Sequence, residues 1–226
     1  MSRVIRTEDG SNTLFSERYR QSFHSTNGAV TEVKHVFIEP TGVRERLEQC
    51  KPTQILEIGF GLGLNALLCA DLAQQHKTAL RFQSFEHDLV SSDVFEQLNY
   101  AQLLSFPELA GDMSRGLCEL HQSVFRVGEY TEIVLLQFDV STVDINYVCG
   151  AGFNAVFMDA FSPDTNAECW SQSVIDQLAG VLSEKGVLST YSAKGDVRRA
   201  LLHAGLHVEK LEGPPGKREM LRAIRV

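Results

Sequence analysis

Short apolar segments alternate with amphipathic segments from residue 54 onward, and this alternation predicts parallel strands joined by crossover helices. The predicted elements, in chain order, are strand Gln54–Ile58, helix Leu64–Gln75, strand Leu80–Glu86, helices within Ser91–Leu120, strands Ile133–Phe138 and Ala155–Asp159, helix Ser171–Leu182 and strand Val187–Tyr191. The last two apolar segments, Leu206–Leu211 and Glu219–Val226, are joined by a turn rich in glycine and proline. We therefore predict an α/β fold with a doubly wound, mostly parallel, seven-stranded sheet and a C-terminal antiparallel hairpin.

Residues 1–50 precede this alternation, and we predict that they form an irregular lead-in packed on one domain of residues 51–226. An apolar spacing of i, i+4, i+7 and i+8 predicts a helix within the lead-in, formed by Ala29, Val33, Val36 and Phe37. The chain has 226 residues, of which 43% are hydrophobic, so it is large enough to bury one sizeable core.

Cysteine content and apolar run length restrict the compartment and the class of site. The five cysteines are all at least 19 residues apart, so they form neither a local CxxC pair nor a zinc cluster, and we expect no metal. No segment has the length or composition of a signal peptide or a membrane span. We therefore expect a cytoplasmic protein without a membrane partner.

The charge is distributed unevenly along the chain. A formal net charge of −8 argues against a nucleic-acid partner, because Lys and Arg supply most of the affinity for phosphates. Residues 194–226, however, carry eight Lys or Arg and four Asp or Glu, a net charge of +4 that leaves −12 on the remainder. The tail predicts either a basic C-terminal face that binds nucleic acid or an ordinary solvated surface.

Three glycines follow the first predicted strand, at positions 59, 61 and 63, and a helix is predicted to begin directly after them. Glycines here let the backbone turn sharply and approach a ligand at the helix N-terminus. The spacing is G-x-G-x-G, whereas dinucleotide sites have G-x-G-x-x-G. Glu57, which precedes the first glycine, suits a cationic amino group and would repel a pyrophosphate. The segment therefore favours S-adenosyl-L-methionine as the cofactor.

Acidic residues follow two further predicted strands. Glu86 is placed to accept the ribose hydroxyls of an adenosine. Asp139 is a candidate for the adenine amine, although acids at strand ends are often only helix caps. The predicted cofactor-binding residues are Glu57, Gly59, Gly61, Gly63, Asn65, Glu86 and Asp139.

The segment Asp159-Ala160-Phe161-Ser162-Pro163, followed by Trp170, resembles the signature of the tRNA 5-methylaminomethyl-2-thiouridine methyltransferases, a family that comprises the MnmC methyltransferase half and stand-alone MnmD-like proteins. Other blocks agree with this resemblance, which spans nearly the whole chain; they include Thr7–Ser11, Val36–Ile38, Thr190–Ser192 and Gly216–Met220. The resemblance implies the S-adenosyl-L-methionine-dependent methyltransferase fold, with N-methylation of 5-aminomethyl-(2-thio)uridine at the tRNA wobble position.

The resemblance also implies roles for individual residues. Asp159 is the candidate catalytic residue, because a carboxylate beside the cofactor can orient the substrate amine and stabilise the cationic product. Candidate substrate-binding residues are Phe161, Ser162, Pro163, Trp170, Tyr191, Lys217 and Arg218. The aromatic residues are candidates for stacking on uracil, although a core or supporting position is favoured for Trp170 and Tyr191. Lys217 and Arg218 are candidates for phosphate contacts on the tRNA anticodon stem-loop.

We expect this chain to depart from the bifunctional members of the family in having no flavin oxidoreductase half. We expect a separate enzyme to supply the aminomethyl precursor. Phe138 also stands before Asp139 where relatives often carry glycine. Three alternatives remain at the level of the sequence: a small-molecule amine N-methyltransferase, a polyamine aminopropyltransferase-like enzyme, and a non-catalytic nucleoside-binding module. The polyamine alternative requires an acidic pocket and makes no use of a basic face.

Overall fold

The N-terminal region forms a small antiparallel sheet in the computed structural model, which describes residues 3–118 and 124–226. Its strands are β1 (Arg3–Arg6), β2 (Asn12–Ser16) and β3 (Gln21–Ser22). Helix α1 (Ala29–Val33) follows and continues into a π-helical turn over Lys34–Ile38. The four residues whose spacing predicted a helix, Ala29, Val33, Val36 and Phe37, are all buried in this helical segment, which confirms that helix.

A second sheet contains eight strands within the described ranges and forms the centre of the molecule. Its strands are β4 (Thr53–Ile58), β5 (Leu80–Phe85), β6 (Val124–Val127), β7 (Thr131–Leu136), β8 (Phe153–Met158), β9 (Leu182–Thr190), β10 (His207–Glu212) and β11 (Glu219–Ile224). Their order across the sheet is β10-β11-β9-β8-β4-β5-β7-β6. The five strands from β9 to β7 are parallel, whereas β6, β10 and β11 pair antiparallel to their neighbours.

Helices cover both faces of the large sheet, because alternate residues of its strands point to opposite sides. Ile55, Phe82 and Phe157 pack on the face that carries α1 and the helices up to residue 118. Leu56 and Val156 pack on the other face, under the helices after residue 144. The remaining helices are α2 (Val43–Glu48), α3 (Leu64–His76), α4 (Ser92–Glu96), α5 (Glu108–Cys118), α6 (Ile145–Cys149), α7 (Gln172–Val181) and α8 (Gly195–His203).

The predicted fold class is confirmed, including the parallel sheet and the C-terminal antiparallel hairpin formed by β10 and β11. One detail differs, since we predicted seven strands. The additional strand, β6, pairs with β7 at the sheet edge, and its four residues are too short a segment to be recognised as a strand from the pattern alone. The predicted helical range Ser91–Leu120 extends to residues 119 and 120, which lie outside the described residues.

Asp9 fastens the N-terminal sheet to α1. Its carboxylate accepts hydrogen bonds from the Thr7 and Ser11 hydroxyls at 2.7 and 2.5 Å, and from the Thr31 backbone N–H at 2.9 Å. Burial opposes ionisation of this carboxyl, but the hydrogen bonds from Ser11, Thr31 and Thr7 outweigh burial and lower its pKa below the usual range. The N-terminal sheet is thereby held against the helix that packs on the core.

The helices of the described ranges are too short or too polar to span a lipid bilayer.

Candidate active site

A cavity of about 620 Å³ opens at the carboxyl ends of the parallel strands. Ligands of open α/β sheets bind at this edge, and the volume is typical of a site for a small molecule. The predicted site residues that line the cavity are Gly59, Gly61, Glu86, Asp139, Asp159, Phe161, Ser162, Tyr191 and Lys217. The opposite wall comes from the N-terminal region and includes Tyr19, Gln21, Phe23, His24 and Glu32.

The glycine segment turns between β4 and α3 in a conformation that side chains disfavour. Gly59, Gly61 and Gly63 all have positive φ angles, of 94°, 54° and 70°. A Cβ atom on Gly59 would lie 2.9 Å from the Asp159 carbonyl oxygen, so the loop and the end of β8 are in close contact. Gly59 and Gly61 line the cavity, whereas Gly63 is packed against Phe60 beneath it.

Glu86 follows β5 and is held in place by two backbone groups. Its carboxylate accepts hydrogen bonds from the N–H of Gly61 at 2.9 Å and of Asp88 at 2.7 Å. Each carboxylate oxygen can accept a further hydrogen bond, and the side chain lines the cavity. The Gly61 contact also ties the glycine loop to the neighbouring strand.

Glu57, Asn65 and Asp159 form a hydrogen-bonded chain that runs from the core to the cavity. The Asn65 amide nitrogen donates to Glu57 Oε1 at 2.7 Å and to Asp159 Oδ2 at 2.8 Å. Ser84, which pairs with Glu57 across the sheet, donates to the other Glu57 oxygen at 2.7 Å. Glu57 is fully buried and Asn65 almost so, whereas Asp159 lines the cavity. The structure therefore places Glu57 and Asn65 behind the cavity wall and Asp159 in it.

Burial makes both carboxyl groups of this chain hard to ionise. It raises the pKa of Glu57 to about 8, against the hydrogen bonds from Ser84 and Asn65. It also raises the pKa of Asp159 well above its usual value, and the nearby carboxylates of Glu57 and Glu32 raise it further. The Asn65 hydrogen bond and the Lys217 ammonium act in the opposite direction.

An aromatic cluster forms the wall next to Asp159. The ring of Phe161 stacks on Tyr19, with centroids 4.3 Å apart and an interplanar angle of 21°. Phe23 contacts Phe161 edge-on at 5.1 Å. Gln21 fixes the same loop, since its amide donates to the Ser162 hydroxyl at 2.9 Å and to the Thr165 hydroxyl at 2.8 Å. The N-terminal strands and the loop after β8 thus form one surface.

Trp170 and Tyr191 hold the loop after β8 from behind. The Trp170 indole N–H donates to the Phe161 carbonyl at 2.8 Å, and the Tyr191 hydroxyl donates to the Ala160 carbonyl at 2.8 Å. The two rings contact each other edge-on at 6.2 Å. Trp170 is buried outside the cavity lining, as is typical of the core position that the sequence left open for it. Pro163 also lies outside the lining.

Lys217 reaches the cavity from the loop between β10 and β11. Its ammonium forms an ion pair with Glu32 Oε1 at 2.9 Å and lies 3.9 Å from the centroid of the Tyr191 ring. The other Glu32 oxygen accepts from the Ser25 backbone N–H at 2.7 Å. Lys217 is therefore engaged within the protein, whereas the neighbouring Arg218 is exposed and forms no ion pair among the described residues.

The basic tail is largely neutralised by its own neighbours. Five of its eight cations form ion pairs: Lys194 with Asp164, Arg199 with Asp196, Lys210 with Glu219, Lys217 with Glu32 and Arg222 with Glu209. Arg225 donates to the backbone carbonyls of Ala179 and Gly180. Within the described ranges, Arg198 and Arg218 are the tail cations without such contacts. For most of the tail these contacts are those of an ordinary solvated surface, one of the two alternatives that the composition left open.

Asp139 caps a short helical turn, as acids at strand ends often do, and its contact with adenine stays a prediction. Its carboxylate caps the short helical turn Val140–Thr142 by accepting from the Ser141 N–H at 2.9 Å, and the Ser141 hydroxyl bond lowers its pKa. The same residue lines the cavity. Phe138 beside it is 51% exposed and also lines the cavity, so an apolar ring takes the place where relatives often carry glycine.

The cavity fits S-adenosyl-L-methionine in size and in the chemistry of its lining. The fixed Glu86 carboxylate has acceptor capacity free for a diol, and Phe138 and Val140 offer apolar surface for a base. A cationic methionine moiety suits a lining that contains Glu86, Asp139 and Asp159. Across residues 3–118 and 124–226, the structure has no group of three His, Cys, Asp or Glu side chains arranged to hold a metal ion.

The residues that sequence reasoning missed come mainly from the N-terminal wall. Tyr19, Gln21 and Glu32 contact the predicted site residues Phe161, Ser162 and Lys217. Glu32 and His24 stand close together in the sequence, yet no periodicity predicted that they face the sheet edge. Their only signal was the resemblance of the N-terminal blocks to the same family.

Comparisons with known proteins agree with this site. Residues 109–226 match the sequence profile of a family described as S-adenosyl-L-methionine-dependent methyltransferase. The bifunctional protein MnmC of tRNA 5-methylaminomethyl-2-thiouridine biosynthesis is 31% identical over 96% of this chain and 34% of its own length in Burkholderia mallei strain SAVP1. The same protein from Cupriavidus metallidurans is 34% identical over 96% of this chain and 33% of its own length. The chain therefore spans about a third of the curated relatives that it matches.

One solved structure covers nearly the whole chain. The crystal structure of MNMC2 from Aquifex aeolicus superimposes with a TM-score of 0.80 and 28% sequence identity. The match covers 99% of this chain and 70% of that chain, so the N-terminal region is included in it.

Proposed function

The chain belongs to the S-adenosyl-L-methionine-dependent methyltransferase family, and we propose that it methylates the amine of 5-aminomethyl-(2-thio)uridine at the wobble position of tRNA. Membership of this family confirms the enzyme class and the cofactor predicted from the sequence. The relatives named for tRNA 5-methylaminomethyl-2-thiouridine biosynthesis support the choice of substrate.

The position of Asp159 in the cavity is the observation that best supports this proposal. Its carboxylate lines the cavity next to the aromatic pair of Tyr19 and Phe161, and Asn65 fixes its orientation from behind. A base inserted against the aromatic wall would present its 5-substituent to this carboxylate, since stacking on aromatic rings is the usual way to hold an unpaired base. A carboxylate at this position can accept a hydrogen bond from the primary amine and can balance the positive charge of the product.

The chain contributes positioning and proton handling. Asp159 accepts a hydrogen bond from the neutral amine and so directs the nitrogen lone pair toward the cofactor. The nitrogen becomes cationic once alkylated, and the adjacent carboxylate stabilises that charge and offers a site for the released proton. Asn65 prevents the carboxylate from rotating away, and Trp170 and Tyr191 keep its loop in place.

The cofactor site is the part of the cavity under the strand ends. Glu86 would hold the ribose hydroxyls, Asp139 and Phe138 would flank the adenine, and the loop of Gly59 and Gly61 would approach the methionine moiety. When bound, S-adenosyl-L-methionine supplies an electrophilic methyl group on a sulfonium. Glu57 acts indirectly in this proposal, because it is buried behind Asn65 and positions it.

The RNA partner and the place of reaction are part of the same proposal. Arg218 and the exposed Arg20 at the cavity wall contact phosphates of the anticodon stem-loop, in place of a continuous basic face. A separate enzyme delivers the aminomethyl-uridine, and the reaction takes place in the cytoplasm, where the tRNA is.

The experiment is transfer of labelled methyl from S-adenosyl-L-methionine to bulk tRNA from cells that lack this gene, followed by nucleoside analysis. We expect the label in 5-aminomethyl-uridine derivatives, and we expect Asp159→Asn to reduce its incorporation by about 10²- to 10⁴-fold. Asp164→Asn is the matched control, because Asp164 is exposed, lies in the next turn of the same loop and pairs with Lys194 outside the cavity lining.

Two outcomes would contradict the proposal. Cofactor binding without label on tRNA would contradict a tRNA substrate and indicate a small amine instead. Label on tRNA at a nucleoside other than an aminomethyl-uridine would exclude the proposed nucleoside. Equal activity of Asp159→Asn and Asp164→Asn would exclude the assigned catalytic residue.

A further inference from the structure

The Glu32–Lys217 ion pair lies in the cavity wall and has no part in the mechanism described so far. Glu32 belongs to α1 and is buried at 7% exposure, and Lys217 belongs to the loop between β10 and β11. Their contact at 2.9 Å joins the N-terminal and C-terminal parts of the site. Both residues line the cavity together with Asp159.

The placement of Lys217 is fixed by several contacts. Its ammonium lies over the Tyr191 ring at 3.9 Å, a favourable position for a cation. The loop that carries it is anchored to the N-terminal region, because Asn27 donates to the Pro215 carbonyl at 2.9 Å and His35 Nε2 is 2.8 Å from the Glu212 carbonyl oxygen. A lysine held in this way is poorly placed to reach a phosphate outside the cavity.

The titratable groups around Asp159 come from four elements. Glu32 on α1 and Lys217 line the cavity with Asp159, and the Tyr191 ring after β9 lies under the Lys217 ammonium. Glu57 on β4 lies behind Asp159 and is joined to it through Asn65. Asn65 on α3 is a neutral donor. His24, near Glu32, is buried and its pKa is lowered to about 4, so it is neutral at physiological pH. Lys217 is therefore the cation that offsets Glu32 next to the proposed catalytic carboxyl.

We propose that the Glu32–Lys217 pair limits the electrostatic cost of a negative charge on Asp159. Lys217 neutralises Glu32, so that Asp159 does not face a second uncompensated anion across the cavity. Without Lys217, the buried Glu32 carboxylate would disfavour charge on Asp159. Without Glu32, the ammonium would instead favour it. The inference deepens the proposed function and rests on it for the role of Asp159.

The first test uses the ligand-free protein and needs no RNA. Carboxyl carbon NMR of protein labelled at aspartate Cγ is followed over pH, and Asp159→Asn assigns the signal. We expect Lys217→Met to raise the measured pKa of Asp159 and Glu32→Gln to lower it. Lys217→Arg, which keeps the charge, and the double variant of Glu32→Gln with Lys217→Met should both stay close to the unchanged protein.

Lys210→Met is the matched control, because it breaks an exposed ion pair with Glu219 on the same hairpin at 2.8 Å. Circular dichroism melts show whether each variant is folded. Equal titration of Asp159 in Lys217→Met, Lys210→Met and the unchanged protein would overturn the inference, as would shifts of the same sign in Lys217→Met and Glu32→Gln.

The second test measures the pH dependence of kcat/KM for methyl transfer to tRNA. The acidic limb should move to higher pH in Lys217→Met and to lower pH in Glu32→Gln. The two tests separate the two proposals. NMR shifts of the expected sign without any tRNA methylation would remove the proposed function alone, and methylation with unmoved titration and pH profiles would remove the inference alone.

Discussion

Asn65 stands between two carboxyl groups that differ in access to solvent. Both contacts use its amide nitrogen, so the carbonyl oxygen points away from the carboxylates, and this oxygen is buried without a hydrogen-bond partner in the described part of the chain. An amide turned the other way would remove the N–H donor from both carboxyl groups. Asn65 therefore defines the direction in which Asp159 enters the cavity.

Replacement of Asn65 by leucine, which has a similar shape and no donor, should separate positioning from binding. We expect kcat to fall by about 10- to 100-fold while KM changes little, because Asp159 remains but is no longer held. Steady-state kinetics at saturating cofactor measure both constants. An unchanged kcat in a variant that still binds the cofactor would show that Asp159 needs no support from behind.

Glu57 makes stability depend on pH. Its pKa is about 8 in the folded protein against 4.5 as the ordinary value, so between these pH values the folded state retains a proton that the unfolded state has lost. The free energy of unfolding therefore falls as pH rises, by up to about 1.4 kcal/mol per pH unit, and this loss ends above the folded-state pKa. Glu57→Gln should remove this part of the decline. Urea unfolding from pH 5 to 9 checks it, and parallel curves for the two proteins would contradict the assignment.

The hairpin of β2 and β3 is the element that turns an open strand edge into a cavity. Gln21 and Tyr19 contact the loop after β8, and Arg18 pairs with Asp88 at the end of β5 at 2.9 Å. The hairpin thus crosses from one strand end to another. Any ligand in the cavity is covered on that side by a segment more than 100 residues away from β8 in the sequence.

Tyr19 on this hairpin should matter for the RNA substrate and not for the cofactor. We expect Tyr19→Ala to lower kcat/KM for tRNA by about 10-fold, the size of one lost aromatic stack, and Tyr19→Phe to retain activity. Tyr147→Ala is the control, since Tyr147 is 89% exposed on α6. Cofactor affinity is measured in parallel by calorimetry. A loss of cofactor affinity equal to the loss of kcat/KM would assign Tyr19 to the cofactor site instead.

The elements that were predicted share a physical property with one another. Strands β4, β7 and β8 are largely buried on both faces and so contain apolar runs, and α3 follows a glycine turn. The N-terminal strands are short and mostly polar, and they are held by side-chain contacts such as those of Asp9. The hydrophobic pattern of a sequence does not reveal side-chain contacts of this kind. For that reason the part of the cavity wall that comes from the N-terminal region was not predicted.

The net charge of the tail does not show how many of its cations are paired with acids in the folded molecule. The tail has a net charge of +4 by composition, yet most of its cations meet acids that the fold brings to them, including Asp164 and Glu32 from distant segments. Composition therefore gives the number of cations, whereas the fold shows which of them form ion pairs. Only the fold reveals which cations remain open to a polyanion.

Salt dependence of tRNA binding should reveal the cations that remain. If Arg218 contacts a phosphate, Arg218→Ala should lower the slope of log Kd against log salt concentration by about 1. Arg222→Ala should leave the slope unchanged, because Arg222 is paired with Glu209 at 2.6 Å. Filter binding with an anticodon stem-loop at several salt concentrations measures both slopes. Equal slopes for Arg218→Ala and the unchanged protein would place the RNA elsewhere.

The Glu32–Lys217 contact also limits how early during translation the cavity wall can form. The two residues are 185 positions apart, so a ribosome that has just added Glu32 needs roughly 10 to 40 s to add Lys217. During that interval the sheet strands emerge in order, while the nascent chain has an acid at α1 with no cation to meet it. The wall around Asp159 is completed only when the loop between β10 and β11 has been translated, and a growing chain therefore cannot form the whole site before residue 217 has been added.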